Sequence, residues 1–184
     1  MNIVFERSLC FTGHRPDKLY GYDYRIEGNR LLLLKLKEII EMYINRRGIN
    51  TFISGMALGI DIWSAQIILA LKKKYPHIKL VCAIPCDEQW SRWKQKDIDI
   101  WHDVVEKADY VHYVSEDKYT VWCMNARNKW MVDNSNYTIA VWDGTKGGTF
   151  DCVKYAIKRD RSILHLNPHN LEKKILKSID EYQK

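Results

Sequence analysis

The chain has 184 residues, enough for one domain with a single sizeable core. Its 46% hydrophobic and 28% charged content fit a soluble globular protein, and no apolar run is long enough to cross a membrane. The formal net charge of +6 favours anionic partners. Much of that surplus, however, stands in "KKK" (72–74), "KRDR" (158–161) and Lys173–Lys174, where cations suit the ends of expected helices.

Five scattered cysteines, Cys10, Cys82, Cys86, Cys123 and Cys152, form no CxxC pair. They read as buried reduced thiols rather than a disulfide framework or zinc site. Nothing in the sequence calls for a metal or a cofactor. The opening "MNIVFERSL" lacks the basic start and long apolar stretch of a signal peptide, so a cytoplasmic location is expected.

The first expected strand begins at Val4 or Ser8 and ends at Thr12. It breaks into "TGHRP", where Gly13 permits a close backbone approach and Arg15 offers a fork for phosphate or carboxylate. A tight turn with surface charges is the other reading. Leu32, Leu36, Ile39, Ile40 and Tyr43 then form a helical stripe that Gly48 stops. A strand over Thr51–Ser54 leads into "SGMALGIDIWSA", with Gly55 and Gly59 four apart and a second stripe, Ile60, Trp63, Ile67 and Leu71. Backbone amides at such a helix start can hold an anion. The stretch is neither the dinucleotide fingerprint nor a P-loop, which would need a Lys-Ser/Thr end. Asp61 stands in the first turn and can either cap the helix or meet a ribose hydroxyl.

A strand over Lys79–Ile84 ends at "IPCDEQWSRW". Gln89, Trp90 and Trp93 there fall in a helical register, and the tryptophans can pack in the core or stack on a base. A short helix over Asp99–Lys107 and a strand over Tyr110–Val114 follow. The helix over Asn125–Asp133 sets Arg127, Asn128, Asp133 and Asn134 among apolar residues, as a polar side turned to a sheet edge would. After a strand over Tyr137–Trp142 comes "WDGTKGGTFD", where Asp143, Gly144, Gly147, Gly148 and Thr149 precede a helix over Phe150–Lys158. This is a second candidate phosphate cradle. The last expected elements are a strand over Ser162–Leu166 and a helix over Leu171–Tyr182.

Strands that are apolar at successive positions, alternating with helices, predict a doubly wound α/β fold with a mostly parallel sheet. Ligands of such folds bind beyond the carboxyl ends of the strands, where all these loops fall.

Five ordered motifs, "FTGHRP", "SGMALGID", "IPC", "RNKWMVD" and "WDGTKGGT", resemble the YpsA/YoqJ-like family of the SLOG superfamily, related to DprA and to the LOG phosphoribohydrolases. The resemblance implies one Rossmann-like domain over 1–184, with helices on both faces of the sheet, that binds a nucleotide-derived molecule. Its ligand-facing positions would be Gly13, His14, Arg15, Ser54, Gly55, Met56, Gly59, Asp61, Arg127, Asn128, Gly147, Gly148 and Thr149. Gln89, Trp93, Asp143 and Gly144 join them from the loop reading. LOG-type enzymes carry a catalytic Glu where this chain has Cys152, with Asp151 one residue early, so turnover is not expected. The resemblance implies binding of an adenine nucleotide or ADP-ribose-type ligand, including cyclic ADP-ribose signals, as a sensor or as a phage-type sponge in anti-phage defence. An N-glycosidase and a DprA-like binder of single-stranded nucleic acid stand as alternatives, with nucleic acid the less expected partner. A homodimer or higher homo-oligomer is expected, with Trp101, Tyr113, Tyr119 and Trp122 as surplus aromatics suited to an interface or equally to the ligand's base pocket.

Overall fold

Runs such as "TFIS", "KLVCAI" and "YTIAV" combine β-branched and apolar residues with almost no polar alternation, and such runs are stable only between two covering layers. The computed structural model, which describes residues 2–115 and 120–182, builds those layers. Its elements are β1 (Ser8–Gly13), α1 (Glu27–Arg47), β2 (Thr51–Ser54), α2 (Ile60–Leu71), β3 (Lys79–Ile84) and α3 (Gln95–Lys107). They continue with β4 (Tyr110–Tyr113), α4 (Val121–Asp133), β5 (Tyr137–Val141), α5 (Gly148–Lys158), β6 (Ser162–Leu166) and β7 (Lys173–Leu176). The sheet order is β4-β3-β2-β1-β5-β6-β7, parallel throughout except for β7.

Alternate side chains of each strand enter different cores. Leu9 and Phe11 of β1 join Phe52, Leu80 and Ile84 under α1, α2 and α3. Cys10, Ile53, Val81, Ala83 and Ala140 point the other way and meet Met131, Val132, Cys152 and Val153 of α4 and α5. The doubly wound α/β architecture with helices on both faces is thus the one the sequence predicts. Helix α1 ends as expected at Gly48, whose φ of 64° is the left-handed cap that glycine adopts without strain.

The expected helix over Leu171–Tyr182 does not form. Residues Lys173–Leu176 instead pair antiparallel with β6, Leu176 opposite Ile163 and Lys173 opposite Leu166. A turn over 167–172 closes this hairpin, with Asn167 Oδ1 accepting from the amide of His169 at 2.9 Å and Leu171 at a φ of 59°. Nor do Gln89, Trp90 and Trp93 share a helix. The stretch 87–92 is a run of turns with Glu88 at a φ of 49°, which no α-helix accommodates. Helix α3 starts only at Gln95, four residues before the expected boundary, while α4 already starts at Val121. Trp101 is not a surface aromatic: it is 4% exposed and packs against Trp90 in the core. Tyr113 and Trp122 are exposed, and Tyr119 lies outside the described residues.

Candidate functional site

The strand order reverses between β1 and β5, whose following helices lie on opposite faces of the sheet. A crevice opens at such a switch point because no connection crosses it. Here it is a cleft of about 250 Å³, with walls contributed by Gly13 at the end of β1, His14 and Arg15 after it, Asp61 of α2, Arg127 and Asn128 of α4, and 145–149 before and within α5.

The β1 end is packed tightly onto α2. A Cβ on Gly13 would stand 2.6 Å from Ile60 Cβ, so the strand can approach the helix only with glycine there. The His14 amide donates to Val141 O at 3.0 Å, and its carbonyl accepts from the Ile60 amide at 3.3 Å. Gly59, at a φ of 90°, caps α2 where a Cβ would meet that carbonyl at 2.6 Å. Pro16–Lys18 turn back toward β5, and Lys18 Nζ donates to Thr145 Oγ1 at 3.0 Å.

Beneath the cleft lies a buried ion pair. Arg127 Nη1 stands 3.0 Å from Asp61 Oδ2, with the two residues 4% and 5% exposed. The same nitrogen donates to the Gly55 carbonyl, and a Cβ on Gly55 would fall on the guanidinium. Ser54 Oγ donates to the Asp61 carbonyl at 2.8 Å and accepts from the Met56 amide at 3.1 Å, which fixes the turn with Met56 at a φ of 56°. Burial pushes the Asp61 carboxyl up, while Arg127, Arg15 and the Ala57 amide pull against it. Arg127 Nε is buried without a partner among the described residues.

The β5 end is a locked loop followed by an open helix start. Trp142 Nε1 donates to Thr145 O at 2.7 Å, and the Thr145 amide and hydroxyl donate to Asp143 Oδ1 at 2.9 and 2.8 Å. His14 Nε2 lies 2.7 Å from the same oxygen. Partial burial acts to raise the Asp143 carboxyl, but the Thr145 donors and His14 outweigh it and hold it at about 2. Burial lowers the His14 pKa although Asp143 acts to raise it, and the Asp143 amide, at 3.2 Å, donates to the same Nε2. Helix α5 then starts with Gly147 as its cap, which offers no side chain to the first-turn amides. A Cβ at Gly147 or Gly148 would meet nothing within 4 Å.

Nine of the sequence-predicted residues therefore line one cleft: Gly13, His14, Arg15, Asp61, Arg127, Asn128, Gly147, Gly148 and Thr149. Ser54, Gly55, Met56 and Gly59 lie outside its lining and hold the residues that form it, and Asp143 positions His14 and Thr145. Gly144 turns elsewhere, its φ of 100° placing it against the Tyr182 ring. Gln89 and Trp93 line an adjoining hollow of about 210 Å³ whose wall shares Arg15 and Met124 with the cleft. Sequence reasoning passed over Lys18, Met124, Asn125, Thr145 and Lys146. Met124 and Asn125 precede Asn128 by four and three residues, a helical spacing that could have found them. Cys152 is 1% exposed, burial pushes its thiol up to about 12, and Asp151 lies on the groove between α4 and α5. Among residues lining the cleft, the carboxylates are Asp17 and Asp61.

A parallel α/β sheet with glycine-started helices and cationic side chains around its switch point defines a Rossmann-like domain with an anion-suited cleft. The chain belongs to the YspA SLOG family, whose profile matches residues 9–172. A UPF0398 protein of Brevibacillus brevis is 26% identical over 172 residues, covering 90% of this chain and 91% of that one. The SPbeta prophage-derived protein YoqJ of Bacillus subtilis is 38% identical over 142 residues, 68% of this chain and 82% of its own. Among solved structures, DNA processing protein A of Helicobacter pylori, described for its single-stranded DNA binding mode, superposes with a TM-score of 0.59 at 16% identity, covering 89% of this chain. DprA of Streptococcus pneumoniae gives 0.57 at 14% over 87% of this chain. This chain spans 66% and 50% of those two proteins, and at these identities the likeness is one of fold.

Proposed function

We propose that the cleft binds a nucleotide-derived small molecule through its phosphate and does not turn it over. The observation that carries this is the start of α5. Gly148 has an ordinary backbone and open space where a Cβ would go, so neither conformation nor packing asks for glycine there. What glycine gives is close approach to uncapped helix-start amides, opposite Arg15 and Lys18. Asp61 is engaged by Arg127, and no α5 carboxylate lines the cleft, so the residues that would drive N-glycosidic cleavage are not assembled. The ligand we propose is a signal of the ADP-ribose type, cyclic forms included, and the prophage origin of YoqJ fits a sequestering role toward it.

The test is mass spectrometry of small molecules released from heat-denatured protein, followed by calorimetry with adenine nucleotides and cyclic ADP-ribose isomers. An intact phosphorylated ligand is the expected result. Arg15→Ala should then weaken binding by about 1.5–3 kcal/mol, the scale of a charge-assisted contact. Silence across the panel, with nothing released, overturns the reading.

A second reading has its own observation. Lys129, Lys154 and Lys158 line a groove between α4 and α5 that shares Asn125 and Asn128 with the cleft, a path suited to a single-stranded nucleic-acid backbone. The fold likeness to DprA points the same way. Oligonucleotide affinity that falls steeply with salt would establish it.

A further inference from the structure

A second hollow, of about 240 Å³, shares no lining residue with the cleft. Pro16 and Gly59 border it where Arg15 and Asp17 border the cleft, and α2, α3 and the segment 22–25 complete its wall. Asp97 of α3 is part of that wall. The residue is 9% exposed, and its carboxylate has no hydrogen-bond or ion-pair partner among the described residues, its own helix start included. A first-turn carboxylate gains from the helix dipole, but that partial charge is a poor substitute for the water a buried anion gives up. Buried charges are ordinarily paired, and no described residue supplies the pair here.

Much of the remaining wall is aromatic. Trp63 of α2 is 7% exposed, while Tyr22 and Tyr24 stand half exposed at the mouth. Core packing does not hold the two tyrosines there; an ordered loop does. Buried Asn29 donates through Nδ2 to the carbonyls of Gly21 and Asp23 at 3.0 and 2.9 Å, and the Arg25 amide donates to Asp23 Oδ1 at 2.9 Å. Arg25 Nη2 also holds Asp23 Oδ2 at 2.8 Å, so these two charges cancel. Lys96, the other charged residue of the wall, is exposed and screened by solvent.

A buried carboxylate among aromatic faces suits an organic cation. The carboxylate accepts charge-assisted hydrogen bonds from an ammonium, and the π faces attract its charge. The volume limits the ligand to a small one. We infer that this hollow is a second binding site, for a small free amine whose ammonium meets Asp97 and whose apolar stem lies against Trp63, Tyr22 and Tyr24.

The experiment is calorimetry of the full chain with three probes of similar size and different charge: phenethylamine, 2-phenylethanol and 3-phenylpropionate. Expected is binding of the amine at least about tenfold tighter than of the alcohol, the scale of a charge-assisted hydrogen bond, with the carboxylate weaker still. Asp97→Asn should erase the preference for amine over alcohol. Tyr22→Ala, at an exposed position, should weaken the amine about two- to fivefold, the scale of an exposed cation–π contact. Should Asp97→Asn fail to fold, the charge series on the wild-type chain and the Tyr22 variant carry the test. Equal binding of the three probes, binding of none, or a preference for amine that survives in Asp97→Asn overturns the inference. A blocked lysine tripeptide bound in preference to phenethylamine overturns the free-amine form of it. None of these outcomes depends on whether the cleft binds a nucleotide, because the two sites have separate walls.

Discussion

Asp61→Asn is the substitution that most directly interrogates the floor of the cleft. It keeps the shape of the side chain and removes its charge. Arg127 would then remain 4% exposed with the Gly55 carbonyl and an amide oxygen as its acceptors, and with Nε still unpartnered. Two unit charges 3.0 Å apart attract by roughly 5–6 kcal/mol at an effective dielectric of 20. The retained hydrogen bonds offset part of that loss, which leaves about 3–5 kcal/mol, the usual cost of stranding one partner of a buried pair. Urea unfolding followed by circular dichroism measures it, with a lowered midpoint at unchanged slope. The double variant Asp61→Leu, Arg127→Met should recover most of the stability, since an apolar pair strands no charge. A loss below about 1 kcal/mol in Asp61→Asn would refute the reasoning. It would mean that burial, which pushes this carboxyl up, has already neutralised it and that no ion pair underlies the cleft.

Gly55→Ala should displace Arg127, because the added methyl falls on the guanidinium. A stability loss of roughly 2 kcal/mol or more, with loss of whatever ligand affinity calorimetry finds, is expected. The acid limb of the stability profile should carry two steps. His14 has a folded pKa below its ordinary 6.5, so the unfolded chain binds its proton first and stability falls as pH drops below about 6.5. Asp143, at about 2 against an ordinary 3.8, contributes stability that is present above pH 3.8 and lost toward pH 2. Asp143→Asn should flatten this lower step, worth roughly 1–2 kcal/mol after allowing for its partial exposure.

The strands and the loops that bound the cleft were legible because they are local. An apolar run followed at once by glycine and charge, as in "CFTGHRP", has few other uses, and three such junctions in one alternating chain define a sheet edge. The hairpin at β7 was illegible for the opposite reason. Leu171, Ile175, Ile179 and Tyr182 repeat at helical spacing, yet the open edge of β6 captures Lys173–Leu176, and no local pattern records an open edge. The turns at 87–92 escaped likewise, since the positive φ of Glu88 is imposed by surrounding structure on a residue with no preference for it. Asp61 could be read as a cap or as a ribose contact. Its actual partner, Arg127, stands 66 residues away, and only the topology joins them.

That pairing also explains why the site can be rigid although four loops build it. Arg127 comes from α4, Asp61 from α2, and the Gly55 carbonyl from the turn after β2. Helices α2 and α4 lie on opposite faces of the sheet, so a single guanidinium ties the two helical layers together directly below the cleft. His14 and Asp143 do the same across the switch point itself, joining the loop after β1 to the loop after β5. Each tie crosses the line along which a doubly wound sheet would otherwise splay. The cleft is therefore formed before any ligand arrives, and little ordering cost falls on binding. On this argument, Asp61→Ala and Arg127→Ala should lower stability and affinity together. Parallel measurement of stability and affinity in the two variants reads that coupling, and loss of affinity at unchanged stability in either one would contradict it.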